Sequence, residues 1–327
     1  MTATSDLPAD GYRLPNISSK AFEHPADRAA TAALGSIPML ETVIKRLIEF
    51  GYERAIRQST LSASLKVGPD QLPELHQRWV RVCTVLDIED RPDLYVGMSP
   101  LPNAMAMGAK KPIVVVSSEA AQILDDDELE MVLAHEAGHI LSGHVMYQTA
   151  LAILLDLGMR ALPIFAGLPL LGIRYALLEW YRAAEYSCDR CATIVTRDPL
   201  LTSRTLMAIS AGLPSERLNL DAFLRQAQDY REGGDGFDRI RKLMTELGQT
   251  HSPPVKRAHE IHKWVQSGDY NRIIGGEYVK RGEEPPVREE TAAATEHYTE
   301  RFRQLMVDAS GQVQSTGEKL AEWLRKE

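Results

Sequence analysis

Two histidines four residues apart, with a glutamate after the first, set the strictest demand on how this chain can fold: His135-Glu136-Ala137-Gly138-His139. On an α-helix a spacing of four returns a side chain to nearly the same face, one turn along. His135 and His139 can then clamp one zinc ion, while Glu136 faces the space where an activated water would lie. A catalytic zinc takes three protein ligands and keeps a fourth position open. The helix carrying the two histidines therefore has to pack against another element that supplies the third.

Three spacings bear on that third ligand. A Gly three residues and a His six residues after His139 would complete one known pattern, but Ser142 and Val145 stand there. A Glu some 19 or 20 residues on would complete another, but Gly158 and Met159 stand there. Glu185-Tyr-Ser-Cys-Asp189 fits a third: two carboxylates four apart on a predicted helix share a face. One can bind the metal while the other accepts the free ring N–H of a ligating histidine and fixes its tautomer. Glu179 is the rival ligand, without an acid one turn later, and a solvated helix face is the plain alternative for the Glu185–Asp189 pair.

Composition narrows the class. A hydrophobic share of 44% and a charged share of 25% over 327 residues are those of an ordinary globular chain with a sizeable core. A net charge of -8 argues against a nucleic-acid partner. Cys83, Cys188 and Cys191 are too few and too odd in number for a disulfide framework, so a reducing, cytoplasmic compartment is expected. The Cys188-x-x-Cys191 pair lies in a helical stretch without a βαβ context, which favours helix packing over redox chemistry. The N-terminus has no basic start and apolar run of a secretory signal. The apolar stretch from Ala150 to Leu178 carries Asp156, Arg160 and Arg174 and is interrupted by Pro163 and Pro169. Its uncharged run, 161–173, falls short of the ~20 residues needed to span a bilayer. Buried helices near the site are the first reading, and a segment touching a membrane surface is the second.

Along the chain, residues 1–35 read as a flexible arm, 36–270 as the metal-bearing domain, 271–287 as a linker and 288–327 as a charged helical tail. Helical spacing covers Ile37 to Arg57 and Leu72 to Leu86. Three extended runs follow, 93–97, 103–107 and 112–117, the last two as a hairpin. Asp125-Asp-Asp-Glu128 then opens a helix from about Glu128 to Tyr147 that carries the motif. On such a continuous helix His144, five residues after His139, points away from the metal and reads as a structural residue or one that supports a ligand. Further helices are predicted over Tyr175 to Val195, Leu200 to Ala211, Leu220 to Arg231, Phe237 to Leu247 and Val255 to Gln266. The fold class is mainly α with a small β-sheet, α+β.

Four segments carry a family resemblance. Asn103-Ala-Met-Ala-Met-Gly108 resembles an Asn-Ala-Phe-Ala-x-Gly strand, and Leu133 to His144 resembles a metal helix with a trailing His. Glu185 to Ala192 resembles a Glu-x-x-x-Asp helix, and His251-Ser-Pro-Pro-Val-Lys-Arg257 resembles a His-Pro-Pro-x-x-x-Arg segment with Ser252 as an insertion or shift. Over roughly Ile37 to Ser267 the chain is similar to the HtpX-like zinc metallopeptidases, the family that includes the CAAX prenyl endopeptidases. It departs from them in lacking clear transmembrane helices.

The resemblance implies a zincin-like fold with two metal-bearing helices and one zinc ion per chain, held by His135, His139 and Glu185. Glu136 is then the general base, with Asp189 and Arg257 supporting the ligands. It also implies His251 near the metal, as a candidate donor to the oxyanion. Asn103 to Met107 reads as an edge strand whose Asn103, Ala104 and Met105 can pair with an extended protein or peptide substrate, with ordinary core packing of Met105 and Met107 as the alternative. The activity expected is zinc-dependent endopeptidase chemistry, with protein quality control as a role the resemblance suggests. The alternative is a noncatalytic, zinc-stabilised binding or chaperone-like protein. No oligomeric state is read from the sequence.

Overall fold

The structure, a computed structural model, describes residues 11–37, 40, 42, 44, 51–108, 111–157, 170–232 and 251–284. In chain order the elements that matter are α1 (Pro25–Leu34), α2 (Tyr52–Ala63), β1 (Ser64–Lys66), α3 (Pro73–Val85), β2 (Asp93–Gly97), β3 (Ala104–Met107) and β4 (Ile113–Ser117). They continue as α4 (Ser118–Ile123), α5 (Asp126–Leu141), α6 (Val145–Leu157), α7 (Leu170–Thr196), α8 (Pro199–Ala211), α9 (Leu220–Glu232), α10 (Pro254–Gln266) and α11 (Asp269–Ile274). Among the described residues the result is mainly helical with one small mixed sheet, as the hydrophobic periods predict.

The sheet runs β1-β2-β4-β3. β2 and β4 are parallel, joined through β3, which returns antiparallel to β4 with Met105 opposite Val115. This leaves β3 at an edge, lying along α5. Strand β1 escaped the sequence reading because three residues, Ser64-Leu-Lys66, give no measurable alternation.

Helix α5 starts on a capping box: the Asp125 side chain accepts from the Glu128 backbone N–H, and the Glu128 side chain accepts from that of Asp125. It does not run on to Tyr147. Gly143 adopts the left-handed conformation at φ 70°, where a residue with a Cβ would be strained. The His144 N–H then donates to the His139 carbonyl at 3.0 Å and the Gly143 N–H to that of Ile140 at 3.1 Å. This double closure is the Schellman motif, which folds the residue after the glycine back over the last turn. His144 is thereby turned toward His139, not away from it.

Helix α7 is the long buried spine. Gly138 of α5 faces Cys188 and Cys191 across the crossing, where a Cβ on residue 138 would lie 2.9 Å from the Cys191 Cβ and 3.2 Å from the Cys188 Cα. Both cysteines are fully buried, in keeping with a packing role. The described parts of the apolar stretch 150–178 also turn inward: Ile153 and Leu154 of α6 and Ile173 and Leu177 of α7 share a core cluster with Ala30, Ala33 and Leu34 of α1. Residues 158–169 lie outside the described residues, and among the described residues no helix is long and apolar enough to cross a membrane.

Two boundaries are corrected. Residues 11–35 are not a loose arm: Leu14, Ile17 and Phe22 are buried in the main core, and α1 lies along α7. The periodicity missed α1 because alanines form its buried face and His24 caps it, accepting from the Ala26 N–H at 3.0 Å. Nor is 271–284 a free linker. Ile273 ends in the core, and Lys280 bridges Ile17, with the Arg281 N–H donating to the Asn16 carbonyl at 2.7 Å. The expected helix 237–247 and the tail 288–327 lie outside the described residues.

Replacing Gly138 by alanine should cost about 1–3 kcal/mol of stability through overpacking at the α5–α7 crossing. Urea denaturation of G138A measures it. A change within about 0.5 kcal/mol, typical of a surface substitution, would show that the crossing has room to spare.

Candidate metal centre

His135, Glu136 and His139 come from α5, Glu185 and Asp189 from α7, and Arg257 from α10, with His251 three residues before that helix. The crossing at Gly138 brings these elements together around one point. His135 Nε2 lies 3.6 Å and His139 Nε2 3.3 Å from the same oxygen, Glu185 Oε1. Glu136 points its other way, its Oε2 accepting the Ala106 N–H of β3 at 2.6 Å. A cavity of about 530 Å³ opens beside them, lined by His135, Glu136, Glu185, His251 and Arg257 on one side. Leu101, Met131, Val132, Leu206 and Ile209 supply its apolar wall.

The supporting contacts are dense. His135 Nδ1 sits 3.1 Å from Asp189 Oδ1. Arg257 donates from Nε to Asp189 Oδ2 at 2.7 Å and from Nη2 to Oδ1 at 2.5 Å, and its Nη1 lies 2.8 Å from Glu185 Oε2. His251 Nδ1 lies 2.8 Å from that same Glu185 oxygen. On the other side, His139 Nδ1 is 3.2 Å from His144 Nδ1, and His144 Nε2 is 3.1 Å from Asp27 Oδ2.

Burial would raise the Glu185 carboxyl, but the Arg257 guanidinium, with the His251 ring beside it, holds it well below the usual carboxylate range. Asp189 is likewise lowered against the pull of burial, chiefly by Arg257. Burial alone would lower the His135 imidazole, yet Asp189 and Glu185 raise it to about 9. His139 goes the other way, pushed down to about 3 by burial. Burial lifts the Glu136 carboxyl above its ordinary value. Glu185 and Asp189 are thus held as carboxylates by the Arg257 guanidinium they share.

Among the described residues, two polar atoms at this point have no hydrogen-bond partner: His139 Nε2 and Glu185 Oε1, both fully buried. Each orphaned group of this kind costs roughly 1–3 kcal/mol, more when charged. Both are electron-pair donors aimed at one another across 3.3 Å. That separation is about what two ligands at ~2.0–2.1 Å from a tetrahedral zinc would show. The donor set fits a divalent cation. His135, His139 and Cys188 also offer ligand atoms within 4.8 Å of one another. Burial pushes the Cys188 thiol well up, so it would have to give up a proton to bind, whereas Glu185 already stands as a carboxylate.

The profile of Peptidase family M48 matches residues 69–265, from just before α3 almost to the end of α10. The chain belongs to peptidase family M48. A relative in Arabidopsis thaliana, Plastoglobule-localized metallopeptidase 48, chloroplastic, is 37% identical over 260 residues, 77% of this chain and 74% of the relative. A Protease HtpX homolog of Paenarthrobacter aurescens is 27% identical over 228 residues, 62% of this chain and 75% of the relative. No solved structure matches the chain. As an M48 member it is a metalloprotease, with proteins or peptides as substrates.

Within the M48 frame, the structure brings His135, Glu136, His139, Glu185, Asp189, His251 and Arg257 into one cluster. Asn103, just before β3, and Ala104 line the cavity; Met105, the next residue of the strand, faces the other side from Ala104 and does not. Glu179, the rival ligand, pairs instead with Arg182. Sequence reasoning missed the Asp27–His144 contact. Ser142-Gly143 was the legible signal for His144. Nothing in the sequence marked Asp27, more than a hundred residues upstream.

Arg257→Met should destabilise the chain by about 3–5 kcal/mol, because Glu185 and Asp189 would remain buried without their shared cation. Denaturation with and without added zinc checks this. A loss under about 1 kcal/mol would place Arg257 among exposed pairs of little consequence.

Proposed function

We propose that the chain is a zinc-dependent endopeptidase in which His135, His139 and Glu185 hold the ion and Glu136 is the general base. The observation that carries the reading is the orphaned pair, His139 Nε2 and Glu185 Oε1, facing one another beside a cavity that also holds Glu136. Glu185 is preferred to Cys188 because its carboxylate is already anionic, with one oxygen tied to Arg257 and the other free.

When bound, the ion supplies Lewis-acid chemistry, acidifying water and polarising the scissile carbonyl. Glu136 takes the proton. Its raised carboxyl is a better base near neutrality than an exposed glutamate, and the Ala106 N–H fixes one of its oxygens so that the carboxylate keeps its angle to the cavity. Having accepted the proton from water, it hands it to the leaving amine. Asp189 accepts from His135 Nδ1 and thereby leaves Nε2 unprotonated for the ion. His251, whose Nδ1 lies 2.8 Å from Glu185 Oε2, stands at the cavity as the candidate donor to a developing oxyanion.

The substrate lies extended along β3. Met105 pairs with Val115 across the ladder, and the Ala106 N–H is turned away from β4 toward Glu136. The antiparallel repeat of two turns the Ala104 N–H and C=O the same way, toward the cavity. Peripheral contact with a membrane surface through 150–178 remains a separate proposal resting on the apolar composition of that stretch. Sedimentation with phospholipid vesicles tests it, and a chain left wholly in the supernatant speaks against it.

Glu136→Gln should lower cleavage of casein or a peptide library by about 10²–10⁴-fold, the share general acid–base catalysis supplies, with zinc content unchanged. Activity within a few-fold of wild type would overturn the assignment. Wild type that binds zinc and cleaves nothing would favour the noncatalytic reading.

A further inference from the structure

The two metal-helix histidines are oriented differently. His135 meets a carboxylate directly, whereas the partner of His139 is another imidazole, His144, whose far nitrogen meets Asp27. All four side chains are buried. Asp27 is also the end point of other donors: Ser187 Oγ gives to Oδ2 at 2.6 Å and Thr31 Oγ1 to Oδ1 at 3.1 Å. The Trp180 indole N–H in turn holds Thr31 Oγ1 at 2.8 Å. A carboxylate held by this many donors is fixed in place and is an acceptor only.

We propose that Asp27 and His144 are positioning residues for metal binding, fixing the His139 tautomer through a one-way chain of hydrogen bonds. This rests on the metallopeptidase reading above. His139 can ligate through Nε2 only if Nε2 carries no proton, so the neutral ring keeps its proton on Nδ1. That Nδ1–H needs an acceptor, and His144 Nδ1, at 3.2 Å, serves only when bare. A neutral His144 bare at Nδ1 carries its proton on Nε2, which donates to Asp27 Oδ2 at 3.1 Å. Each link dictates the next, and the opposite polarity would leave a proton on the ligating nitrogen. The backbone supports the same arrangement, because the Gly143 closure folds His144 over His139 and α1 presents Asp27 from the N-terminal side.

The consequence reaches beyond the matched 69–265 region: a residue of α1, outside it, sets the affinity of the metal helix. The test is zinc competition against a chelator on the full chain, for wild type, Asp27→Asn, His144→Phe and His144→Gln. Urea denaturation of each metal-free variant runs alongside. Partners that orient metal ligands typically contribute about 10–100-fold in affinity. His144→Phe fills the space without an acceptor and should lose that much. Asp27→Asn presents an NH₂ as readily as an oxygen and should also weaken binding. His144→Gln can accept at one end and donate at the other, and should restore most of the affinity.

Equal affinity in wild type and His144→Phe would overturn the proposal, as would a glutamine variant as weak as the phenylalanine one. Should the phenylalanine variant not fold, the ring nitrogen-15 shifts of the zinc-loaded wild type decide the matter. His144 must be protonated at Nε2 and bare at Nδ1, and a proton on Nδ1 contradicts the chain. Wild type without zinc affinity would remove the metallopeptidase reading itself, and this proposal with it. Zinc-binding wild type beside unaffected variants removes only the positioning role.

Discussion

Where α5 crosses α7, a single methyl group on residue 138 would collide with the backbone of Cys188 and the side chain of Cys191. The glycine lets the two helices approach until the residues around the contact face each other. His135 and His139 flank Gly138 on one helix, and Glu185 and Asp189 flank Cys188 on the other. The same approach that excludes a side chain at the crossing places three electron-pair donors around one point. A helix pair held farther apart by larger residues would keep the same sequence motif and lose the site.

That proximity has an electrostatic cost that the rest of the architecture offsets. Glu185 and Asp189 are both fully buried, and isolated carboxylates there would be protonated. Arg257 spans the two, so α10 has to dock beside α7 before the carboxylates can stay charged. Asp27 raises the same problem on the opposite side and meets it with Ser187, Thr31 and His144. The N-terminal segment is thus tied in by a buried charge as well as by Leu14, Ile17 and Phe22. Removing either set of partners leaves a charge without compensation.

Local signals carried far into this structure. The histidine spacing, the acidic start at Asp125, the hairpin of β3 and β4 and the two-helix arrangement of acids and imidazoles were all readable, because each depends on residues within one or two turns. What was not readable depends on contacts between distant segments. An alanine face gives α1 no hydrophobic period, so its burial is visible only once α7 is there to cover it. His144 was placed on the wrong face because the helix was extended through Ser142-Gly143, although a glycine after a terminal turn is itself a stop signal. Glu185 could be nominated from spacing. The preference for it over Cys188 needed the burial of the thiol and the free carboxylate oxygen.

The central claim is a metal site built only from nitrogen and oxygen at the α5–α7 crossing. X-ray absorption at the zinc edge of the loaded, full-length chain addresses it most directly. A site of His135, His139 and Glu185 gives a first coordination sphere of nitrogen and oxygen at about 2.0–2.2 Å with no sulfur. A scatterer at about 2.3 Å, the distance of zinc to a thiolate, would assign Cys188 in place of Glu185 and contradict it.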